Sequence, residues 1–185
     1  MAFFQDPPRL GNQFDDDPML GKKDAPVTIV QFAEYQCYYC NQAAPTLERL
    51  MKEYDGRVRL VFKDYPLSNH TAALPAAVAA RCAGDQGKYW EMNKILLANQ
   101  QALLEDDLHG YAKKLGLDMD RFQECQTSGR FEPSIQADLA LGNEKGVDAT
   151  PTFFINGVLL PGAQPYDRFA ALIDRELALA AGSPL

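Results

Sequence analysis

Two cysteines separated by two residues are the feature of this sequence with the sharpest chemical meaning. Cys37 and Cys40 follow an apolar, β-branched stretch and precede apolar residues at helical spacing, so they lie where a strand gives way to a helix. Unpaired N–H groups and the helix dipole stabilise a thiolate at such a helix start. The lowered pKa makes the Cys37 sulfur a better attacking and leaving group, and Cys40, one turn later, can resolve a mixed disulfide. The pair predicts reversible thiol–disulfide exchange.

A zinc site and a pair of inert thiols are the two alternatives to exchange chemistry at these cysteines. A structural zinc site usually needs four ligands, whereas this chain has no second Cys-x-x-Cys, and its two histidines, His70 and His109, lie far apart in a helical region. Two buried thiols without chemistry would also fit the spacing. We expect ordinary helix residues at both histidines, no metal site and no cofactor.

The elements around the cysteine pair form a βαβ unit. Residues 27–33 are β-branched and apolar, which predicts a buried strand, and residues 37–54 have apolar positions at helical spacing. Residues 57–63 alternate apolar and charged side chains and predict a second strand. Such a unit has parallel strands and a right-handed crossover.

A second half, of ββα type, closes the chain. Residues 152–155 and 158–160 predict a hairpin around Asn156–Gly157, and residues 167–181 predict an amphipathic helix. The region between the halves is rich in Ala, Leu, Gln and Glu, which predicts helices. Their expected ranges are 69–83, 87–100, 104–115, 119–128 and 132–145.

These patterns predict an α/β fold with an insertion. We expect a thioredoxin-like domain in residues 21–67 and 147–185 and an inserted helical subdomain in residues 68–146. Residues 1–20, rich in Asp, Pro, Gly and Asn, predict a flexible lead-in with a turn at Asp15–Pro18. This segment lacks a basic region followed by an apolar stretch, so it does not resemble an intact secretory signal.

Composition excludes two classes of function. The 18 Lys and Arg residues against 25 Asp and Glu give a net charge of −7, and the basic residues form no stripe, which argues against a nucleic-acid partner. No apolar run approaches the roughly 20 residues that a membrane helix needs. The chain as given is therefore expected to be soluble, either in the cytosol or after removal of a signal.

Three stretches of the sequence carry a resemblance to a known family. They are Phe-Ala-Glu-Tyr-Gln-Cys-Tyr-Tyr-Cys at 32–40, Arg-Cys-Ala-Gly-Asp-Gln-Gly-Lys-Tyr-Trp-Glu-Met at 81–92 and Gly-Val-Asp-Ala-Thr-Pro-Thr-Phe-Phe-Ile-Asn-Gly at 146–157. In this order they resemble the DsbA-like branch of the thioredoxin superfamily. The resemblance implies a thioredoxin-like fold with an inserted helical subdomain. It also implies an oxidase that introduces disulfides into exported proteins through Cys37 and Cys40.

The resemblance further implies a cis bond between Thr150 and Pro151. In that geometry the Thr150 backbone faces the active-site sulfurs and pairs with an extended substrate segment while Cys37 holds the mixed disulfide. The alternative is a trans proline that merely opens a strand. Pro45, within the active-site helix, matches a helix-kinking proline common in the superfamily.

Two departures from the family pattern affect the expected chemistry. Tyr38 and Tyr39 stand where strongly oxidising relatives usually carry Pro-His, so no cation between the cysteines stabilises the thiolate. Gln31 stands where many relatives place a buried acid that shuttles the proton of the second cysteine, which an amide cannot do. Glu34 lies nearer to Cys37, and we weigh a catalytic role for it against that of a solvated charge at the strand end.

A second pair of cysteines, Cys82 and Cys125, falls in the inserted helices. Relatives often carry cysteines at these places, and a bond between them would close a loop of about 44 residues, worth about 4 kcal/mol in the chain-entropy estimate. The alternative is two small buried residues that never meet. We favour a structural disulfide, since an enzyme of this kind works where disulfides persist. The same argument favours the periplasm or another extracytoplasmic space over the cytosol.

The expected partners follow from this activity. They are proteins bearing thiols or disulfides, together with a membrane redox partner that recycles the active site. Tyr35, Tyr38, Tyr39 and residues 65–67 are expected to form a surface for unfolded substrates. The alternatives are a disulfide reductase or isomerase on the same fold, or a redox-inert binding or chaperone module.

Overall fold

The computed structural model describes residues 17–182, and its centre is a five-stranded mixed sheet. The strand order is β1-β3-β2-β4-β5. The strands are β1 (Met19–Leu20), β2 (Val27–Ala33), β3 (Val58–Asp64), β4 (Thr152–Ile155) and β5 (Val158–Pro161). The predicted α/β fold with its βαβ and ββα halves is confirmed.

Helices follow the order that the sequence predicts. They are α1 (Tyr38–Glu53), α2 (Ala73–Gly84), α3 (Tyr89–Ala98), α4 (Glu105–Lys114), α5 (Met119–Thr127), α6 (Glu132–Glu144) and α7 (Tyr166–Ala180). Helices α2 to α6 lie between β3 and β4 along the chain, so the helical region interrupts the two halves of the sheet. Within residues 17–182, none of the helices has the length and apolar character that crossing a membrane requires.

Strand pairing brings three chain segments to one edge of the sheet. β2 and β3 are parallel, with Ala33 opposite Asp64, so the segments that leave both strands emerge side by side. β4 runs antiparallel to β2, with Thr152 opposite Phe32, so the segment that enters β4 arrives at the same edge. The start of α1, the segment after β3 and the Thr150–Pro151 segment therefore meet there.

Alternation along β2 divides the apolar core between the two faces of the sheet. Ile29 packs with side chains of α1 and α7 on one face, and Val30 packs on the other with residues of β3, β4 and α6. A third cluster joins the inserted helices to the cysteine pair and includes Tyr35 and Met92. Each large apolar side chain buried in this way contributes roughly 1.5–3 kcal/mol.

The N-terminal part of the structure departs from the predicted loose lead-in. Residues 1–16 of that predicted segment lie outside the described residues, but Met19–Leu20 form β1, antiparallel to β3, with Met19 opposite Val61. The Trp90 indole donates to the Met19 carbonyl at 3.1 Å. This pairing covers part of the β3 edge, which is why a polar-looking segment becomes ordered there.

Buried charges hold β3, α2 and α6 together. The Arg81 guanidinium donates to Asp64 at 2.8 Å and to Asp138 at 2.7 Å, and the Lys63 ammonium contacts Asp138 at 2.8 Å and Asp17 at 2.6 Å. The four residues other than Asp17 are each less than a tenth exposed. Burial raises the pKa of Asp64 to about 6, against the opposing charge of Arg81. Removing one partner of such a network is costly because it leaves a buried charge uncompensated.

Candidate active site

Cys37 occupies the N-cap position of α1, with φ −74° and ψ 115°. The N–H groups of the first helical turn have no partner inside the helix. The Cys37 side chain makes no capping hydrogen bond, and the Cys40 amide donates to the Cys37 carbonyl at 3.0 Å. The amides of Tyr39 and Cys40 are nevertheless close enough to the Cys37 sulfur to lower its pKa.

The pKa of Cys37 is lowered to about 5. The largest cause is a hydrogen bond from the Cys40 thiol, which outweighs the opposing effect of burial; the Thr150 hydroxyl and the amides of Cys40 and Tyr39 lower the pKa further. That hydroxyl is buried and makes no hydrogen bond of ordinary geometry with the described residues. An unperturbed thiol titrates near pH 8.5, so at neutral pH the Cys37 sulfur is a thiolate.

Cys40 is the opposite kind of thiol. It is fully buried, whereas Cys37 is 6% exposed. Burial raises the pKa of Cys40 well above its ordinary value, and the hydrogen bond to Cys37 and the Cys37 charge act in the same direction. The structure holds both as free thiols. The two sulfurs therefore differ in how readily they lose a proton, which is the difference that an attacking and a resolving cysteine require.

Thr150 and Pro151 face the sulfurs from the entry to β4. The bond between them is cis, and the Thr150 carbonyl oxygen lies 3.2 Å from the Cys37 sulfur, where it can accept a hydrogen bond from the protonated form of that thiol. Two hydrogen bonds fix this segment: the Thr152 hydroxyl donates to the Ala149 carbonyl at 2.7 Å, and the Gly162 amide donates to the Pro151 carbonyl at 2.8 Å. The Thr150 backbone therefore has a fixed position beside the reacting atom.

Two glutamine side chains that were not predicted as site residues brace the segment before α1. The Gln100 amide group donates to the carbonyls of Tyr35 and Cys37, at 2.9 and 2.7 Å. The Gln36 side-chain oxygen accepts from the Ala72 amide at 2.6 Å. Gln100 follows α3, so this contact joins residues more than sixty positions apart. No sequence signal marks it.

Glu34 is not the solvated charge that we weighed for it. Glu34 is 1% exposed. Its carboxylate accepts a hydrogen bond from the Gln36 backbone N–H at 2.6 Å and contacts His70 Nδ1 at 2.5 Å. Burial raises the pKa of Glu34; the bonds from Gln36 and His70 oppose this, and the Cys37 charge adds to it. The backbone amide of Glu34 is directed to the Cys40 sulfur.

His70 is correspondingly not a helix residue. The predicted helix from residue 69 begins at Ala73, because residues 67–72 form turns that present His70 to Glu34 and the Ala72 amide to Gln36. One signal could have revealed this contact: segments that follow neighbouring parallel strands emerge at the same edge of the sheet. His109, the other histidine, lies in α4 and contacts Gln126 at 2.9 Å.

Gln31 lies in the middle of β2, opposite Phe62 and Phe153, and is 2% exposed. It lines a pocket of about 410 Å³ between α1 and α3, which Pro45, Trp90 and Asn93 also line. An amide at this buried position takes no part in proton transfer. Pro45 stands inside α1, as predicted.

Tyr38 and Tyr39 are the exposed aromatic residues of the site. They are 63% and 62% exposed, with ring centroids 5.4 Å apart in an edge-to-face arrangement. Tyr35 and Tyr65, expected on the same surface, are instead buried: Tyr35 stacks on Phe62, and the Tyr65 hydroxyl donates to the Val147 carbonyl. Of the four tyrosines expected on the surface beside Cys37, only Tyr38 and Tyr39 are therefore exposed.

Cys82 and Cys125 form a disulfide that links α2 to α5, with the two Cα atoms 5.8 Å apart. Both residues are buried. Nothing comparable to the α1 start surrounds them, since both lie inside helices whose amides are engaged. Across residues 17–182, no group of three or more His, Cys, Asp or Glu side chains is arranged to hold a metal ion.

Comparison with known proteins gives a consistent fold. Residues 13–175 match the family model described as Thioredoxin. A thioredoxin-like oxidoreductase from Silicibacter pomeroyi DSS-3 has a TM-score of 0.81 at 30% identity, covering 89% of this chain and 95% of that one. The thiol-disulfide exchange protein alpha-DsbA2 from Wolbachia pipientis has a TM-score of 0.80 at 24% identity, covering 89% of each chain.

A curated relative has a different name. The Na(+)/H(+) antiporter NhaA 1 of Salinispora arenicola is 39% identical over 165 residues, which cover 89% of this chain but 25% of the antiporter. The chain thus spans about a quarter of the length of that relative. The antiporter name describes the whole of that longer protein, of which the shared segment is a part.

Proposed function

The chain belongs to the thioredoxin family, and from this premise we propose that it is a DsbA-like oxidase that introduces disulfides into other proteins. The observation that carries the proposal is the contrast between the two thiols at the α1 start. Cys37 has a pKa of about 5, and Cys40 is buried with a raised pKa.

The direction of exchange follows from which redox state the site stabilises. A thiolate held by helix amides lowers the free energy of the reduced enzyme, so the oxidised enzyme gives up its disulfide readily. The lowered pKa of Cys37 therefore supports an oxidant. Tyr38 and Tyr39 supply no cation between the cysteines, so this oxidant would be weaker than one with a histidine there.

The proposed reaction begins when a substrate thiolate attacks the Cys37 sulfur of the oxidised enzyme. The Cys37–Cys40 bond breaks, a mixed disulfide forms, and Cys40 leaves with the electron pair. A second substrate thiolate then attacks the substrate sulfur of the mixed disulfide, which releases the substrate disulfide and the Cys37 thiolate. The fixed Thr150–Pro151 backbone supports pairing with an extended substrate, and the exposed Tyr38 and Tyr39 rings support contact with apolar segments.

The setting of the reaction is also part of the proposal. The Cys82–Cys125 disulfide supports an extracytoplasmic location, such as the periplasm, because disulfides persist there. An oxidase must be reoxidised after each turnover, and we assign this to a membrane redox partner. The similarity to a segment of a longer antiporter chain also supports a function close to a membrane.

A glutathione titration followed by a substrate assay tests the proposal. The protein is equilibrated with buffers of varied glutathione ratio, its thiols are trapped with an alkylating reagent, and the oxidised form is then mixed with a reduced, unfolded protein. We expect formation of substrate disulfides by the wild-type protein and none above background by Cys37→Ala. The matched control is Cys82→Ala/Cys125→Ala, which keeps the exchange.

The same titration separates the alternatives. If the Cys37–Cys40 pair becomes half-oxidised only at glutathione ratios far more oxidising than a free dithiol needs, the protein is an oxidant. A site that holds its disulfide under reducing ratios is that of a reductase or isomerase. Unchanged substrate oxidation in Cys37→Ala would reduce the chain to a redox-inert binding module.

A further inference from the structure

A buried acid and a histidine share one corner of the active site. The Glu34 carboxylate, three residues before Cys37, contacts His70 Nδ1 at 2.5 Å and accepts from the Gln36 amide at 2.6 Å. The Glu34 side chain is 1% exposed and that of His70 is 27% exposed. The carboxylate is therefore shielded from water, while the imidazole connects it to solvent.

The charge at this corner changes during the reaction. The oxidised site is neutral at the sulfurs, whereas the reduced site carries the Cys37 thiolate, and that charge and the Glu34 carboxylate repel each other. Two titratable groups act on Glu34 from other elements: His70, from the segment between β3 and α2, and Cys37, at the start of α1. Gln36 and Ala72, which complete the corner, are uncharged.

We propose that the Glu34–His70 pair takes up a proton when the Cys37–Cys40 disulfide is reduced and gives it back when the disulfide reforms. This inference rests on the proposed thiol–disulfide exchange. In the oxidised enzyme, the pair shares one proton between the Glu34 carboxylate and His70 Nδ1. In the reduced enzyme, an additional proton on the pair offsets the new negative charge at Cys37. The pair thereby handles a proton at a site where Gln31 cannot.

The proton balance distinguishes this mechanism from a site without the pair. Reduction by two molecules of glutathione breaks the Cys37–Cys40 bond and forms one glutathione disulfide. Of the two thiol protons, one goes to Cys40, and the other is released to solvent because Cys37 stays a thiolate. With the pair active, the pair takes that second proton, so no net proton is released.

The pH dependence of the glutathione equilibrium constant is the test. A site that releases one proton on reduction has an equilibrium constant that rises about tenfold per pH unit, whereas a site with no net release has a flat one. Between pH 6 and 7 we expect a change of less than about threefold for the wild-type protein and about tenfold for Glu34→Gln and His70→Asn. In this range the Cys37 sulfur of the reduced enzyme, with a pKa of about 5, is a thiolate.

His109→Asn is the matched control, since it removes the other histidine, which lies in α4 away from Glu34. Its equilibrium constant should vary with pH as in the wild type. A merely structural role for Glu34 or His70 would shift the equilibrium constant without changing its slope against pH. A wild-type slope of about tenfold per pH unit overturns the inference and leaves the proposed exchange intact.

A second measurement needs no variant and so does not depend on their folding. Calorimetric reduction of the oxidised protein by dithiothreitol, in two buffers of different ionisation enthalpy, counts the protons exchanged. A net release near zero between pH 6 and 7 supports the inference, and release of one proton contradicts it. A wild-type protein that forms no Cys37–Cys40 disulfide in any glutathione buffer overturns both the proposed function and this inference.

Discussion

The two cysteine pairs of this molecule contain the same atoms in opposite surroundings. Cys37 and Cys40 lie on one helix start, where backbone amides and a neighbouring thiol hold a thiolate. Cys82 and Cys125 lie inside α2 and α5 and join two helices that are distant in sequence. The Cys37 thiolate is stabilised mainly by the Cys40 thiol and to a smaller extent by the first amides of α1, whereas the second pair is already bonded. Position in a helix, rather than residue type, distinguishes the Cys37–Cys40 pair from the structural Cys82–Cys125 disulfide.

The largest effect that we expect follows from removing the Cys82–Cys125 disulfide, the structural one of the two pairs. Cys82→Ala/Cys125→Ala frees a loop defined by a sequence separation of 43, which should lower the free energy of unfolding by about 4 kcal/mol in the chain-entropy estimate. Urea denaturation of the variant and the wild-type protein, both with Cys37 and Cys40 reduced, measures it. An unchanged urea midpoint would show that the Cys82–Cys125 pair has no structural role to set against the reactive pair.

The next effect concerns pH and the reactive pair. Because the pKa of Cys37 is about 5 in the folded protein and about 8.5 in an unfolded chain, its contribution to stability is complete above pH 8.5 and is lost as the pH falls towards 5. Between pH 8 and pH 5 the reduced protein should lose about 3 kcal/mol of stability from this residue. Thermal unfolding in both redox states checks this, since the oxidised protein and Cys37→Ser lack the contribution.

A smaller effect should follow from placing a cation between the reactive cysteines. Tyr39→His adds an imidazolium near the Cys37 thiolate, and one unit of pKa shift corresponds to a tenfold change in equilibrium. We expect the equilibrium with glutathione to move about tenfold towards the reduced enzyme at pH 6. At pH 8, where the new histidine is neutral, the difference should shrink. A shift of equal size at both pH values would argue against a charge effect.

The smallest effect that we expect arises from the brace on the α1 start. Gln100→Ala removes two hydrogen bonds to the carbonyls of Tyr35 and Cys37, each worth about 1 kcal/mol. We expect a loss of several-fold in the rate of substrate oxidation with an unchanged Cys82–Cys125 bond. The exposed neighbour Gln101 offers the control Gln101→Ala. Equal rates in the two variants would show that the brace has no influence on exchange.

The sequence predicts those parts of the fold that depend on local pattern. Periodicity and turn residues place β2, α1 and β3, and their parallel pairing is confirmed. The position of Cys37 at the helix start follows from the same pattern. Met19–Leu20 escaped prediction because a two-residue edge strand has no periodicity and is ordered by its pairing with β3.

The contacts that complete the site depend on residues far apart in the sequence. Glu34 and His70 are separated by 36 residues, and Lys63 and Asp138 by 75. Such pairs form only when the sheet order and the path of the inserted helices are known. A charged side chain such as Glu34 can therefore be buried where its sequence position suggests exposure, because the residue that shields it and bonds to it comes from another element.

The bond between α2 and α5 has a consequence for how this protein matures. A newly made chain carries four thiols, and two of them must be oxidised before these helices are linked. Under the proposed oxidase function, the molecule is itself a substrate of the chemistry that it performs. Its first copies would then need another oxidant, and later copies could be oxidised by those that came before.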